Sequence, residues 1–390
     1  MAEAITAYLV VGEASGDVLG AELAEALRRI APDAQFRGLA GPRMQKLGLS
    51  SLFDISDISV MGLAGVVARI PTLIRRIGQV TDDIVTTKPD VLVLIDSPDF
   101  NLRVAKRVRA RLPDLKIVKY VCPSVWAWRP GRASAMRGII DHVLTLLPFE
   151  PNVLAELGGP AASYVGHPLA SRLGDVAPGD RMKPADDPLL LVLPGSRRSE
   201  VKLLLPDIRD TLAIMDKRSK EHGATFRAVL PAVPHLKAEI ERAVASWPVK
   251  PEVISGEAAK NEAFADADAA LAASGTVLLE LALHRIPMVS IYRLDWLMHL
   301  VRHLITGWSA ALPNLITDET FLPERVGDMI RPGWLARALE ELMRDSMARQ
   351  AQLQGFERMA QAMKTQEPSG ILAARAILAV AKGKTDQGLK

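Results

Sequence analysis

The chain has 390 residues, which at about 150 residues per domain gives two to three domains and room for two full hydrophobic cores. Apolar residues make up 49% and charged residues 24%, a globular composition that excludes a disordered chain. The net charge of +3 provides no bulk field for nucleic acid, and the lone Cys122 excludes an intrachain disulfide or a cysteine-rich zinc site and fits a reducing compartment.

The N-terminus lacks the basic opening of a signal peptide. The longest strongly apolar runs, Val91–Ile95 and Leu189–Leu193, have five residues each against about 20 for a membrane-spanning helix. Thr6–Val11 reads as a strand, Gly12-Glu13-Ala14-Ser15-Gly16-Asp17 as a turn, and 18–30 as a helix. The same grammar returns at Leu189–Leu193, followed by Pro194-Gly195-Ser196-Arg197-Arg198-Ser199-Glu200 and a helix over 201–218. Further buried strands are predicted at Val91–Ile95, 117–121 and 143–147 in the first half, and at 226–230, Glu252–Ile254, 269–272 and 287–291 in the second. Strands alternating with helices imply parallel sheets covered on both faces. The expected architecture is α/β, with two doubly wound lobes: 1–170, a linker at 171–188, and 189–367. Three helical stretches without a strand follow Trp334, and the last, 368–382, is expected to complete the first lobe.

Ligands of open parallel sheets bind beyond the carboxyl ends of strands, so chemistry is sought in a cleft where the two lobes' loops face each other. Glu13, Ser15 and Asp17 sit where a strand hands over to a helix and could receive an anion or sugar hydroxyls; a plain tight turn fits equally. In Asp96-Ser97-Pro98-Asp99-Phe100-Asn101, two carboxylates at a strand's end suit general-base work on a hydroxyl, with a helix cap at Asp99 as the alternative. Ser196 and Arg197 form one anion cradle in the second lobe. Ser274, Gly275 and Thr276 form another, with Glu280 a helical turn further on to accept ribose hydroxyls.

Several patterns favour ordinary explanations. Asp266-Ala267-Asp268 matches a metal-binding D-x-D but precedes a strand, so it reads as a helix-to-strand connection and no bound metal is expected. His299 and His303 share a helix face without the glutamate of H-E-x-x-H. Trp126, Trp128 and Arg129 form either a stacking surface or loop packing. Two greasy stretches, 60–68 and the stripe from Trp296 to Trp308, suit core burial or contact with acyl chains or a membrane surface.

Taken in order, GEASGD at Gly12, GPRM at Gly41, SVMGL at Ser59, DSPDFN at Asp96, PSVWAWR at Pro123, LPFEP at Leu147, VGHPL at Val165, LPGSRRSEV at Leu193, ASGTVLLE at Ala273 and LPNLI at Leu312 closely resemble the lipid-A-disaccharide synthase family. The resemblance implies a GT-B fold of two Rossmann-like lobes facing a central cleft, and a metal-independent, inverting hexosyltransferase without cofactor. Its implied reaction joins UDP-2,3-diacylglucosamine to 2,3-diacylglucosamine 1-phosphate, releasing UDP, at the cytoplasmic face of the Gram-negative inner membrane, with a peripheral attachment. It implies Asp99 as the catalytic residue, functional importance for Asp90, Arg197 and Asn314, and UDP contacts from Ser196, Arg197, Ser274, Gly275, Thr276 and Glu280. With acylated substrates, Val60, Met61, Leu63, Val66 and Val67 become acyl or membrane contacts. Relatives can dimerise by exchanging C-terminal segments, so a homodimer is compatible with the resemblance. Cys122 stands where the family often has serine, which argues against a catalytic thiol. The rival readings are another UDP-sugar enzyme of this shape, such as a 2-epimerase or a glycosyltransferase with a soluble acceptor, and a two-lobed solute-binding protein.

Overall fold

The computed structural model describes residues 5–59, 63–173, 187–293 and 307–383. The chain forms two compact units, Met1–Ser171 with Thr365–Lys390, and Arg172–Lys364. The first unit holds strands β1 (Thr6–Val11), β2 (Gln35–Leu39), β3 (Val91–Ile95), β4 (Lys116–Tyr120), β5 (His142–Thr145) and β6 (Ala162–Tyr164). They form one parallel sheet in the order β2-β1-β3-β4-β5-β6, with Val10 opposite Leu94 and Ile95 opposite Tyr120. The all-apolar run of β3 is buried throughout, each side chain contributing roughly 1.5–3 kcal/mol relative to exposure. The helix Ser369–Ala381 buries Ala373, Ala376, Ile377 and Val380 in this same core and packs on Ala14–Ile30.

The second unit holds β7 (Leu189–Leu193), β8 (Arg227–Pro231), β9 (Glu252–Ile254), β10 (Ala269–Ala273), β11 (Met288–Tyr292) and β12 (Glu324–Val326). This sheet is also parallel, in the order β12-β11-β10-β7-β8-β9. Its core includes Leu190, Val192, Leu271 and Val289, covered by Leu204, Ile208 and Leu212 of the helix Arg198–Glu221.

Strand order fixes where each unit opens. In the first sheet the winding direction reverses between β1 and β3, and in the second between β7 and β10. Loops leaving neighbouring strands on opposite sides of such a reversal diverge, and the crevice between them is where ligands of this fold class bind. Among the described residues no helix is long and apolar enough to cross a membrane. Val60 and Met61 lie outside the described residues, as do His299, His303 and the stripe from Trp296 as far as 306; Leu63, Val66 and Val67 are described only as backbone of the helix Leu63–Thr87.

Candidate functional site

At the first reversal, the loops after β1 and β3 meet. The helix after β1 starts at Ala14, earlier than its apolar spacing predicts, so Ser15 and Asp17 belong to its first turn. Ser15 Oγ donates to Asp96 Oδ2 at 2.7 Å, and Ser97 Oγ donates to Glu13 Oε1 at 3.4 Å. A Cβ on Gly12 would lie 2.5 Å from Ser97 Oγ, so this approach requires a glycine. Asp96 and Ser97 both adopt left-handed backbone, with φ of 52° and 41°, a conformation that costs roughly 1–2 kcal/mol per residue with a side chain. Pro98 opens the next helix and itself disfavours the right-handed helical conformation for Ser97. Asn101, fully buried, donates from Nδ2 to the carbonyls of Ile95 and Asp96 and holds the turn.

Asp99 projects from the first turn of that helix. Ser97 is the N-cap, and the Asp99 carboxylate instead pairs with Arg132 at 2.5 Å. The side chain remains 70% exposed, so a substrate hydroxyl can reach it while the guanidinium orients it. The preceding tryptophans divide between the two roles their sequence allows. Trp126 packs edge-on to Phe149 and donates from Nε1 to Glu150, whereas Trp128 lies under the Arg129 guanidinium, 4.0 Å from ring centre to charge. Burial pushes the Cys122 thiol well above its ordinary pKa, which leaves it protonated and inert.

At the second reversal lies a cavity of about 650 Å³, walled by the carboxyl-end loops of β7, β8, β9 and β10. Ser196, Arg197, Ser274, Gly275, Thr276 and Glu280 all line it. Gly195 has φ of +104°, and a Cβ there would lie 2.6 Å from Glu200 Oε2. The glycine thus lets the chain turn tightly over the start of the helix Arg198–Glu221. Glu200 accepts from the Arg197 guanidinium at 2.8 Å and from its backbone N–H at 3.4 Å, yet the Arg197 side chain is 68% exposed and can swing to a ligand. Lys260 bridges Glu280 at 2.7 Å and Glu257 at 3.5 Å. Ser274 donates its hydroxyl proton to the Ala310 carbonyl, tying the cavity floor to the 309–311 segment.

The lining carries two cations, Arg197 and Lys260, against three carboxylates, Glu200, Glu257 and Glu280. Anion affinity therefore depends on placement rather than on net charge. The three carboxylates each sit in the first turn of a helix that begins in the cavity wall, where they offset the positive N-terminal dipoles, and Arg197 is the cation left most open. Lys260 and Gly256 were not expected from the sequence, although Glu252–Ile254 followed by Ser255-Gly256-Glu257 repeats the strand, glycine and helix order of the other two turns. Arg132 was missed as well, because nothing local links it to Asp99.

Three expected site residues have other tasks. Asp90 precedes β3, at the amino edge of the sheet, where Oδ2 accepts the Thr6 amide at 2.7 Å; the strand separates it from Asp96 by about 20 Å. Asp17 is only 3% exposed and accepts the amides of Arg43 and Met44, capping the helix Pro42–Lys46 rather than facing a ligand. Asn314 is buried, with Oδ1 accepting the Leu322 amide and Nδ2 donating to the Leu322 carbonyl, both at 2.9 Å, so its amide braces a turn. The D-x-D pair joins a helix to β10, and Asp268 accepts the Leu189 amide at the amino edge of the second sheet.

A family model described as "Lipid-A-disaccharide synthetase" matches residues 7–375. The lipid-A-disaccharide synthase of Rhodopseudomonas palustris is 46% identical over 372 residues, covering 94% of each chain. Among solved structures, MurG of Acinetobacter baumannii superposes with a TM-score of 0.61 at 15% identity, covering 96% of this chain and 99% of that one. The S. aureus MnaA–UDP co-structure gives 0.60 at 13% identity, covering 97% and 96%. At these identities the structural likeness shows the fold, which is GT-B with two Rossmann-like lobes.

Proposed function

Because this chain belongs to the lipid-A-disaccharide synthase family, and is thus a glycosyltransferase of lipid A biosynthesis, we propose that its second unit grips UDP in the cavity beyond β7 and β10 while Asp99 of the first acts as the base. The donor is UDP-2,3-diacylglucosamine and the acceptor 2,3-diacylglucosamine 1-phosphate. Asp99 takes the proton of the acceptor 6-hydroxyl as that oxygen bonds to the donor anomeric carbon. The bond from that carbon to the diphosphate breaks, its electrons leave with UDP, and attack from the opposite face inverts the centre. Arg197, Lys260 and the amides opening the helix Arg198–Glu221 stabilise the charge gathering on UDP. Glu280 accepts from the ribose hydroxyls. In this scheme no divalent cation takes part.

The observation that carries the reading is the placement of an exposed guanidinium and a half-buried lysine around one glycine-turned cavity at the reversal of strand order. The neighbour crystallised with UDP supports the ligand class for this fold.

The acyl chains need an apolar partner. On the helix Leu63–Thr87, Ile70 and Ile74 are exposed one turn apart, 44% and 53%, and Arg69 is exposed beside them. An exposed apolar row flanked by arginine supports Val60, Met61, Leu63, Val66 and Val67 as acyl or membrane contacts, with the protein held peripherally at the cytoplasmic face of the inner membrane.

Incubating the protein with both acylated glucosamines in detergent tests the reaction by mass spectrometry. UDP and a disaccharide 1-phosphate should appear equally with and without EDTA. Loss of turnover on chelation would remove the metal-free scheme, and failure to form the disaccharide would remove the acceptor assignment.

A further inference from the structure

β4 carries a lysine in the middle of the first core. Lys119 is 0% exposed, between β3 and β5, where an apolar side chain would pack without desolvating a charge. Its Nζ meets three carbonyls, Asp96 at 2.8 Å, Tyr120 at 3.1 Å and Leu94 at 3.3 Å, one for each ammonium proton.

Two of those carbonyls belong to peptides that flank strained backbone. The Asp96 carbonyl lies between the left-handed residues Asp96 and Ser97, and the Tyr120 carbonyl precedes Val121, a β-branched residue at φ of 76°. Asn101 Nδ2 also donates to the Asp96 carbonyl at 2.8 Å, and the Asp96 amide donates to the Tyr120 carbonyl at 3.0 Å. One ammonium therefore touches the peptides beside Asp96, Ser97 and Val121, three of the strained residues at this sheet edge. Strain of that kind persists only where neighbouring groups over-determine it.

We propose that Lys119 is a positioning residue for glycosyl transfer: its hold on the Asp96 and Tyr120 carbonyls keeps the left-handed turn that starts the Asp99 helix in place. This rests on the reading of Asp99 as the base. Lys119 lies beneath the turn and touches no substrate; it acts through the path of the chain from Asp96 to Asp99. Burial lowers its pKa to about 8, opposed by the charge of Asp96, and the three acceptors suit the charged form.

The test is a double-mutant cycle in the full chain with Lys119→Met and Asp99→Ala. Lys119→Met should lower kcat by about 10²-fold, the cost of misplacing a reacting group by about 1 Å, with KM for both substrates near wild type. In the Asp99→Ala background the same change should cost far less, because the group being positioned is gone. Equal costs in both backgrounds would mean a general structural role and overturn the proposal, as would a Lys119→Met enzyme with wild-type kcat. Near-full turnover by Asp99→Ala alone would instead remove the base assignment on which it rests. If Lys119→Met does not fold, Asn101→Ala releases the same carbonyl from its other donor. That variant should show a smaller loss in kcat with the same dependence on Asp99, and a loss independent of Asp99 would again overturn the proposal.

Discussion

The turns after β3 and β4 of the first sheet are made by residues that carry side chains, with Asp96, Ser97 and Val121 held in left-handed conformations; the turns after β7, β9 and β10 of the second use Gly195, Gly256 and Gly275. Both sheets are six-stranded, parallel and reversed once. The difference follows from what each edge must present. Glycine bares backbone amides to a ligand and lets the chain pass close to it, which suits an anion. A strained turn with side chains fixes the direction of a carboxylate, which suits a base, and its cost is met by buried polar groups underneath.

The largest effect is expected at the strained edge. Asp99→Ala should reduce kcat by about 10² to 10⁴-fold while UDP affinity stays at the wild-type level, measured by turnover and calorimetry. An equal loss of UDP affinity would break the division of labour. At the glycine edge, Arg197→Ala should weaken UDP binding by about 10- to 100-fold, the range of one hydrogen bond to a charged group.

The first unit also uses a buried carboxyl in its edge loops. Glu150 accepts the amides of Leu146 and Leu147 and the Trp126 indole N–H, and burial raises its pKa to about 7. The folded protein then binds this proton more tightly than the unfolded chain. The resulting stability is full below about pH 4.5 and is lost as pH rises through about 7, amounting to roughly 3 kcal/mol. Thermal melts of Glu150→Gln should show less loss of Tm between pH 5 and pH 8 than wild type; an unchanged difference would discard this source of pH sensitivity. The second unit braces its loops with a neutral amide, so Asn314→Ala should cost about 1–3 kcal/mol at every pH, read as a lowered Tm. An unaltered Tm would contradict bracing.

How legible this was in the sequence depended on burial. The central strands β1, β3, β7 and β10 are short apolar runs buried on both faces and were predicted nearly to the residue. β2, β6 and β12 were missed; each is an edge strand, and Ala162–Tyr164 and Glu324–Val326 are half-buried without an apolar run. The cavity's two expected turns were readable because glycine at a strand end has a local cause. Arg132, Lys119 and Lys260 were not, because their partners lie far along the chain or are carbonyls, which leave no mark on residue type. Asp90, Asp17 and Asn314 show the converse: a motif names a residue that matters without saying whether it meets the substrate or the backbone.

Calorimetric titration of UDP into the wild-type protein, Arg197→Ala and Asp99→Ala tests the separation of nucleotide grip from base most directly. UDP should occupy one site per chain, weakened by Arg197→Ala and unchanged by Asp99→Ala. Binding that survives Arg197→Ala intact and is lost with Asp99→Ala would contradict it.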